Sequence, residues 1–210
     1  MDIERFRQLP LMGIVRGVSA ERIEALVEGA IAAGLRTLEI TMNTADAAAV
    51  IRRAVAGAAG RLTVGAGTVL NLRQLADARR AGATFIVLPV LVPEVVAACA
   101  RDGLPVFPGA FTPQEVYNAW QAGATMVKVF PAGVAGPGYF RELNGPFADI
   151  PLMAVGGVRA ENAAEYFRCG AQAVGVGGSV FQKALSGDWA AATADIAAVV
   201  RAVASARTGH

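Results

Sequence analysis

Five glycines stand at one place in a repeating unit. Gly34, Gly82, Gly103, Gly123 and Gly170 each follow an alanine-rich helical pattern and precede a short apolar run. A helix commonly ends there in a left-handed residue, which glycine adopts without steric cost. The unit they punctuate is apolar strand, turn, helix, glycine, and it recurs about every 20 to 25 residues. Eight strands can be read, over 11–16, 37–42, 62–67, 85–89, 106–109, 126–130, 152–155 and 173–177. Most are continuous apolar runs, as expected of parallel strands covered by helices on both faces. Eight strand–helix units predict a small (β/α)8 TIM barrel, here with a short extra helix over 2–8. No linker or composition break interrupts the chain, so 1–210 is expected to be a single barrel domain. An open doubly wound sheet would place its glycine-rich phosphate turn after the first strand. Here that strand is followed by Arg16-Gly17-Val18-Ser19, and the Gly-Gly pairs come late.

Helix starts are also written in the chain. Thr112-Pro113-Gln114-Glu115 reads as a capping box with proline at the first helical position. Asn71 with Gln74 is a weaker version, and Ser19 and Thr44 are expected N-caps. Residues 205–209 and His210 read as a frayed tail.

Composition narrows the function. The net charge is +2 with no basic run, which argues against a nucleic-acid partner. The first residues lack the apolar segment of a signal peptide. The apolar run over 85–92 is too short to span a bilayer and is broken by Pro89, so no membrane partner is expected. Cys99 and Cys169 fit reduced thiols in a cytoplasmic protein. The only histidine is His210, which argues against a His-ligated metal, and no metal or cofactor is expected.

Lysine usage points to chemistry. Of 19 basic residues only Lys128 and Lys183 are lysines. Lys128 sits inside Met126-Val127-Lys128-Val129-Phe130-Pro131, an apolar strand. A buried ammonium costs several kcal/mol unless paired or neutralised, and lysine, unlike arginine, can lose its proton and act as a nucleophile. Glu39, in Leu38-Glu39-Ile40-Thr41-Met42, has the same strand-core setting. The two are either an inert buried ion pair or a catalytic pair at the mouth of a barrel.

Active sites of such barrels lie at the C-terminal ends of the strands. Arg16, Glu39, Thr68, Pro89, Lys128, the pair Gly156-Gly157 and the run Gly177-Gly178-Ser179 all fall there. The two late glycine loops are where this fold commonly binds phosphate. Arg16 is a candidate countercharge, and Thr68 a candidate hydrogen-bond donor to a carboxylate. Arg52-Arg53, Arg79-Arg80 and Lys183 read as solvated helix faces, and Tyr117, Trp120 and Trp189 as core or interface. A buried lysine, a buried carboxylate and a phosphate site point to Schiff-base chemistry on a phosphorylated carbonyl compound.

These motifs, over roughly residues 11–181, resemble the class I aldolases of 2-keto-3-deoxy-6-phosphogluconate (KDPG) and its galactonate epimer (KDPGal). The matching pieces are Leu38-Glu39-Ile40-Thr41, Val64-Gly65-Ala66-Gly67-Thr68-Val69-Leu70, Val127-Lys128-Val129-Phe130-Pro131-Ala132, Ala154-Val155-Gly156-Gly157-Val158 and Gly177-Gly178-Ser179. The resemblance implies a homotrimer of small barrels. It also implies a metal-independent lyase that cleaves a phosphorylated 2-keto-3-deoxy sugar acid to pyruvate and D-glyceraldehyde 3-phosphate. Lys128 would be the Schiff-base lysine, Glu39 the general acid/base, and Thr68 the carboxylate ligand. Gly156, Gly157, Gly178 and Ser179 would hold the phosphate and Arg16 an anionic end of the substrate. Pro89 and Phe130 would complete the substrate-binding surface.

Two positions depart from gluconate-type relatives. Asn43 replaces an arginine and matches the galactonate type, where it would also bind substrate. Leu88-Pro89-Val90 replaces a Ser/Thr-Pro-Gly/Asn segment, removing a hydroxyl and adding bulk beside the site. Three other readings compete. They are a 4-hydroxy-2-oxoglutarate aldolase, a phosphate-binding isomerase or epimerase using Glu39 alone, and a weakened barrel serving as an oligomeric scaffold.

Overall fold

A computed structural model describes residues 1–208, apart from the side chains of Ser179, Arg207 and Thr208. The strands are β1 Leu11–Val15, β2 Thr37–Thr41, β3 Thr63–Gly67, β4 Ile86–Val87, β5 Val106–Phe107, β6 Gly109–Ala110, β7 Val127–Val129, β8 Leu152–Val155 and β9 Ala173–Val176. They pair in parallel in the order β5-β4-β3-β2-β1-β9-β8-β7-β6. The expected fifth strand is divided at Pro108. Proline has no N–H to give a ladder, and pairing changes sides there. β5 bonds β4, while β6 bonds β7, and the Pro108 carbonyl accepts from Lys128 N at 2.9 Å. One extended segment thus joins the two ends of the sheet and closes a (β/α)8 barrel.

Side chains alternate across the barrel wall, as strand geometry requires. Leu38, Ile40, Val64, Ala66, Ile86, Leu88, Val127, Val129, Val174 and Val176 belong to the main core between strands and helices. Met12, Phe85, Val87, Phe107, Met126, Met153, Val155 and Ala173 form a separate cluster inside the barrel. Helix α1 (Ile3–Gln8) closes its lower end. Asp2 caps it by accepting from Glu4 N and Arg5 N, and Phe6 meets Phe107 edge-on at 6.1 Å. Burying that ring contributes about 1.5–3 kcal/mol. The bottom of the barrel is therefore apolar and filled, which leaves the upper end for polar groups.

The C′ glycines all have positive φ, including Gly34 at 85° and Gly123 at 101°. Thr112 and Glu115 form the expected capping box at α6 (Pro113–Gln121). Asn71 accepts from Gln74 N, and Gln74 Oε1 accepts from Leu70 N in return. Neither Ser19 nor Thr44 caps a helix. α2 (Ile23–Ala32) and α3 (Ala47–Ala58) begin later, without side-chain caps. Thr44 Oγ1 instead accepts from Gly17 N at 3.0 Å and pairs with Thr41 Oγ1 at 3.2 Å.

The expected tail is helical as far as it is described, because α11 runs Trp189–Thr208. Gly209 and His210 lie outside the described residues. α11 is the one described helix long and apolar enough to cross a membrane. Its buried stripe, Ala192, Ile196, Val199 and Val203, has helical spacing and packs toward α2 and α9 (Ala163–Arg168). Trp120 and Trp189 also pack on the core, while Tyr117 stacks on Phe147 at the surface.

Candidate active site

Lys128 is the central residue of β7. The register sets it beside Gly109 of β6 and Met153 of β8. Its neighbours Val127 and Val129 face the outer core, so Lys128 must face the barrel interior. It is 7% exposed. Glu39 takes the equivalent inward position on β2, opposite Ile14 and Gly65, and is 1% exposed. Its carboxyl lies across the backbone of Gly67, where an added Cβ would fall 1.6 Å from Oε1. Glycine at 67 therefore makes the space that the carboxyl occupies.

The two groups face one pocket of about 750 Å³. Its wall includes Arg16, Glu39, Thr68, Pro89, Lys128, Phe130, Gly156, Gly157 and Gly178, all anticipated from the chain. The Lys128 amine lies 5.3 Å from the centroid of the Phe130 ring. Lys128 and Glu39 do not form the direct ion pair of the inert alternative. Among the described residues neither takes part in any ion pair, and Glu39 Oε2 is buried without a hydrogen-bond partner. An unsatisfied buried oxygen costs about 1–3 kcal/mol, and buried polar groups seldom go without a partner.

The electrostatics follow from this burial. Burial pushes the Glu39 carboxyl up, against the opposing pull of the Lys128 and Arg16 charges. Burial likewise brings the Lys128 amine down, opposed by Glu39 and reinforced by Arg16. Each group is thus driven toward its neutral form, an amine that can attack and an acid that can donate.

The surrounding loops are specialised. Thr68 holds φ of 56°, a left-handed conformation that costs a non-glycine residue about 1–3 kcal/mol. This strain lies at the end of β3, on the pocket wall. Gly156 and Gly157 have φ of 91° and 80°, and the Gly156 carbonyl accepts from Gly133 N at 2.7 Å. Gly178 opens α10 (Gly178–Ser186), whose N-cap Gly177 makes no side-chain cap bond. Backbone N–H groups at such a terminus suit an anion. The side chain of Ser179 lies outside the described residues.

Two anticipated positions lie off the pocket wall. Asn43 is exposed and is not part of the pocket wall. β2 ends at Thr41, and Thr44 ties the following turn to Gly17, leaving Asn43 off the wall. Leu88 does not stand beside the site, because it packs into the outer core. The strand alternation that turns Phe85 and Val87 inward turns Leu88 outward. Val90 does reach the rim, 54% exposed, and lines a neighbouring cavity of about 240 Å³ with Pro89 and Phe130. The wall also contains Arg159, Gly175 and Phe181, which sequence reasoning missed. The spacing of Arg159 from the glycine pair was a usable signal for it. Among the described residues, no three His, Cys, Asp or Glu groups cluster as metal ligands.

Comparison with known proteins agrees with this geometry. A family model described as KDPG and KHG aldolase matches residues 3–195. A probable 2-dehydro-3-deoxy-6-phosphogalactonate aldolase of Rhizobium meliloti (strain 1021) is 35% identical over 178 residues, 84% of each chain. A 2-dehydro-3-deoxy-phosphogluconate aldolase of Pseudomonas aeruginosa is 36% identical over 188 residues, 88% of this chain and 83% of the relative. A solved structure described as native KDPGal superposes with a TM-score of 0.90 at 32% identity, over 95% of this chain and 97% of that one.

Proposed function

The chain belongs to the KDPG and KHG aldolase family, and from that membership we propose that it is a class I, Schiff-base aldolase. Its substrate is a 2-dehydro-3-deoxy-6-phospho-aldonate of the galactonate or gluconate type, cleaved to pyruvate and D-glyceraldehyde 3-phosphate. One observation carries the reading: an amine and a carboxyl, both buried and both driven toward neutrality, face the same pocket beside two glycine loops.

The neutral Lys128 amine adds to the C2 carbonyl, and the protonated Glu39 carboxyl gives its proton to the departing C2 hydroxyl, which leaves as water, so that a protonated imine forms and Glu39 becomes a carboxylate. Glu39, as carboxylate, takes the proton of the C4 hydroxyl, directly or through a water. The C3–C4 bond then breaks. Its electron pair moves into the imine to form an enamine, and the C4 carbonyl leaves as the aldehyde. Protonated Glu39 returns its proton to C3, and water hydrolyses the resulting protonated imine to pyruvate and the neutral Lys128 amine, the proton released going back to the Glu39 carboxylate. Thr68 and Arg16 hold the carboxylate end, and the Gly156, Gly157 and Gly178 loops hold the phosphate. No step requires a metal.

The pH dependence follows from Lys128. Imine formation with pyruvate, measured by borohydride trapping, is expected to rise with pH and level off well below the ordinary lysine value of about 10.4. A midpoint at or above that value contradicts a desolvated amine. The activity itself is tested by pyruvate release, coupled to lactate dehydrogenase, from both phosphorylated epimers and from 4-hydroxy-2-oxoglutarate. Sustained turnover fastest on one of the phosphorylated epimers supports the proposal. Turnover confined to 4-hydroxy-2-oxoglutarate transfers it to that substrate, and turnover on none overturns it.

We also propose a cytoplasmic homotrimer. Cys99 and Cys169 are buried free thiols, as a reducing compartment allows. Leu70, Leu72, Val90 and Val134 are exposed apolar side chains that a subunit contact would cover. Light scattering at a mass other than three chains contradicts the trimer.

A further inference from the structure

The pocket carries two guanidinium groups at different stations. Arg16 follows β1 and acts on both Glu39 and Lys128. Arg159 belongs to the loop after β8, two residues past the Gly156-Gly157 pair, and lines the same pocket as Gly178 of α10. The backbone beneath it is fixed at both ends by one side chain. Asn162 Oδ1 accepts from Arg159 N at 2.8 Å, and Asn162 Nδ2 donates to the Gly157 carbonyl at 3.0 Å. Some arginines of this chain pair with surface carboxylates, Arg53 with Glu24 and Arg79 with Asp102 among them. Arg159 has no ion pair among the described residues. A loop held in place by Asn162 therefore sets an arginine without an ion pair among the described residues on the wall of the pocket that Gly156, Gly157 and Gly178 also line.

We propose that Arg159 is a specificity-determining residue, clamping the distal phosphate of the substrate against the Gly156-Gly157 and Gly178 loops. The glycine loops offer only neutral N–H donors and accept a phosphate or a water with little discrimination. A guanidinium fork adds charge and two parallel donors that fit a phosphate and have no counterpart on a neutral hydroxyl. Preference for a phosphorylated over a neutral-ended substrate then resides largely in this side chain. The inference rests on the aldolase reading above.

Its test compares Arg159→Gln and Arg159→Lys with the parent enzyme on the phosphorylated acid and on the same acid without phosphate. Arg159→Gln is expected to lower the ratio of kcat/KM between the two substrates about tenfold or more, with the loss in KM rather than kcat. Arg159→Lys recovers part of it, and inhibition by inorganic phosphate weakens in step. A ratio within about twofold of the parent, or equal losses on both substrates, overturns the proposal. Borohydride trapping with pyruvate is run on the same samples. No adduct in the parent enzyme means that the aldolase reading has failed. An adduct with an unchanged ratio means that only the role of Arg159 has failed.

Discussion

Lys128→Met is expected to lower kcat/KM by about 10⁴-fold or more, because the imine cannot form and no other group replaces its electron sink. Lys128→Arg should be equally inactive, since an arginine stays protonated and does not form the imine. An isomerase or epimerase working through Glu39 alone would keep substantial turnover with arginine there. The methionine variant is also expected to melt above the parent at neutral pH. The folded pKa of Lys128 is lowered, so its contribution is fully present only above the unfolded value and is lost as pH falls toward the folded one. Methionine removes that loss and keeps most of the volume. An inactive variant that is more stable marks a residue held for chemistry rather than for folding. Calorimetry of both proteins, with the pyruvate assay, checks both halves of this expectation.

Glu39→Gln separates proton transfer from imine formation. Overall turnover is expected to fall about 10²- to 10⁴-fold, while an adduct with pyruvate still forms after borohydride reduction, more slowly. Loss of the adduct together with turnover would instead make Glu39 a structural support for Lys128. Stability provides a second readout. The folded pKa of Glu39 is raised by burial, so stability falls as pH climbs from the unfolded value of about 4.3 through the folded one. Glutamine lacks that ionisation. Glu39→Gln should melt above the parent near pH 7 and converge with it below about pH 4. A variant less stable at both pH values contradicts the absence of a direct partner for the Glu39 carboxylate.

The barrel could be read from the chain because parallel strands buried on both faces leave plain apolar runs and their helices end in glycine. The pair Lys128 and Glu39 could be read because each is a charge in a place where only apolar residues otherwise occur. The split at Pro108 was missed, although a proline inside a strand cannot complete a ladder. Thr44 is not a cap although a hydroxyl near a helix start looks like one, because a distant donor, Gly17 N, takes its oxygen. Leu88 was placed beside the site by its sequence neighbours, when the alternation from Phe85 already turned it outward. Arg159 went unnoticed because Arg159-Ala160-Glu161-Asn162 looks like an ordinary polar helix start. Its place two residues past the glycine pair is the signal in the chain, and the fold of that loop, tied to Gly133 N and held by Asn162, sets it on the pocket wall.

The most direct test of the account is to reduce the enzyme with borohydride in the presence of pyruvate and to locate the modified residue by peptide mass spectrometry. The chain makes the answer clean, because it has only two lysines. Lys183 is ion-paired with Asp195 at 2.8 Å, and that hydrogen bond pushes its amine up, so it stays protonated. The predicted result is a single adduct on Lys128. An adduct on Lys183 or on the Met1 amine, or none at all, contradicts the central claim.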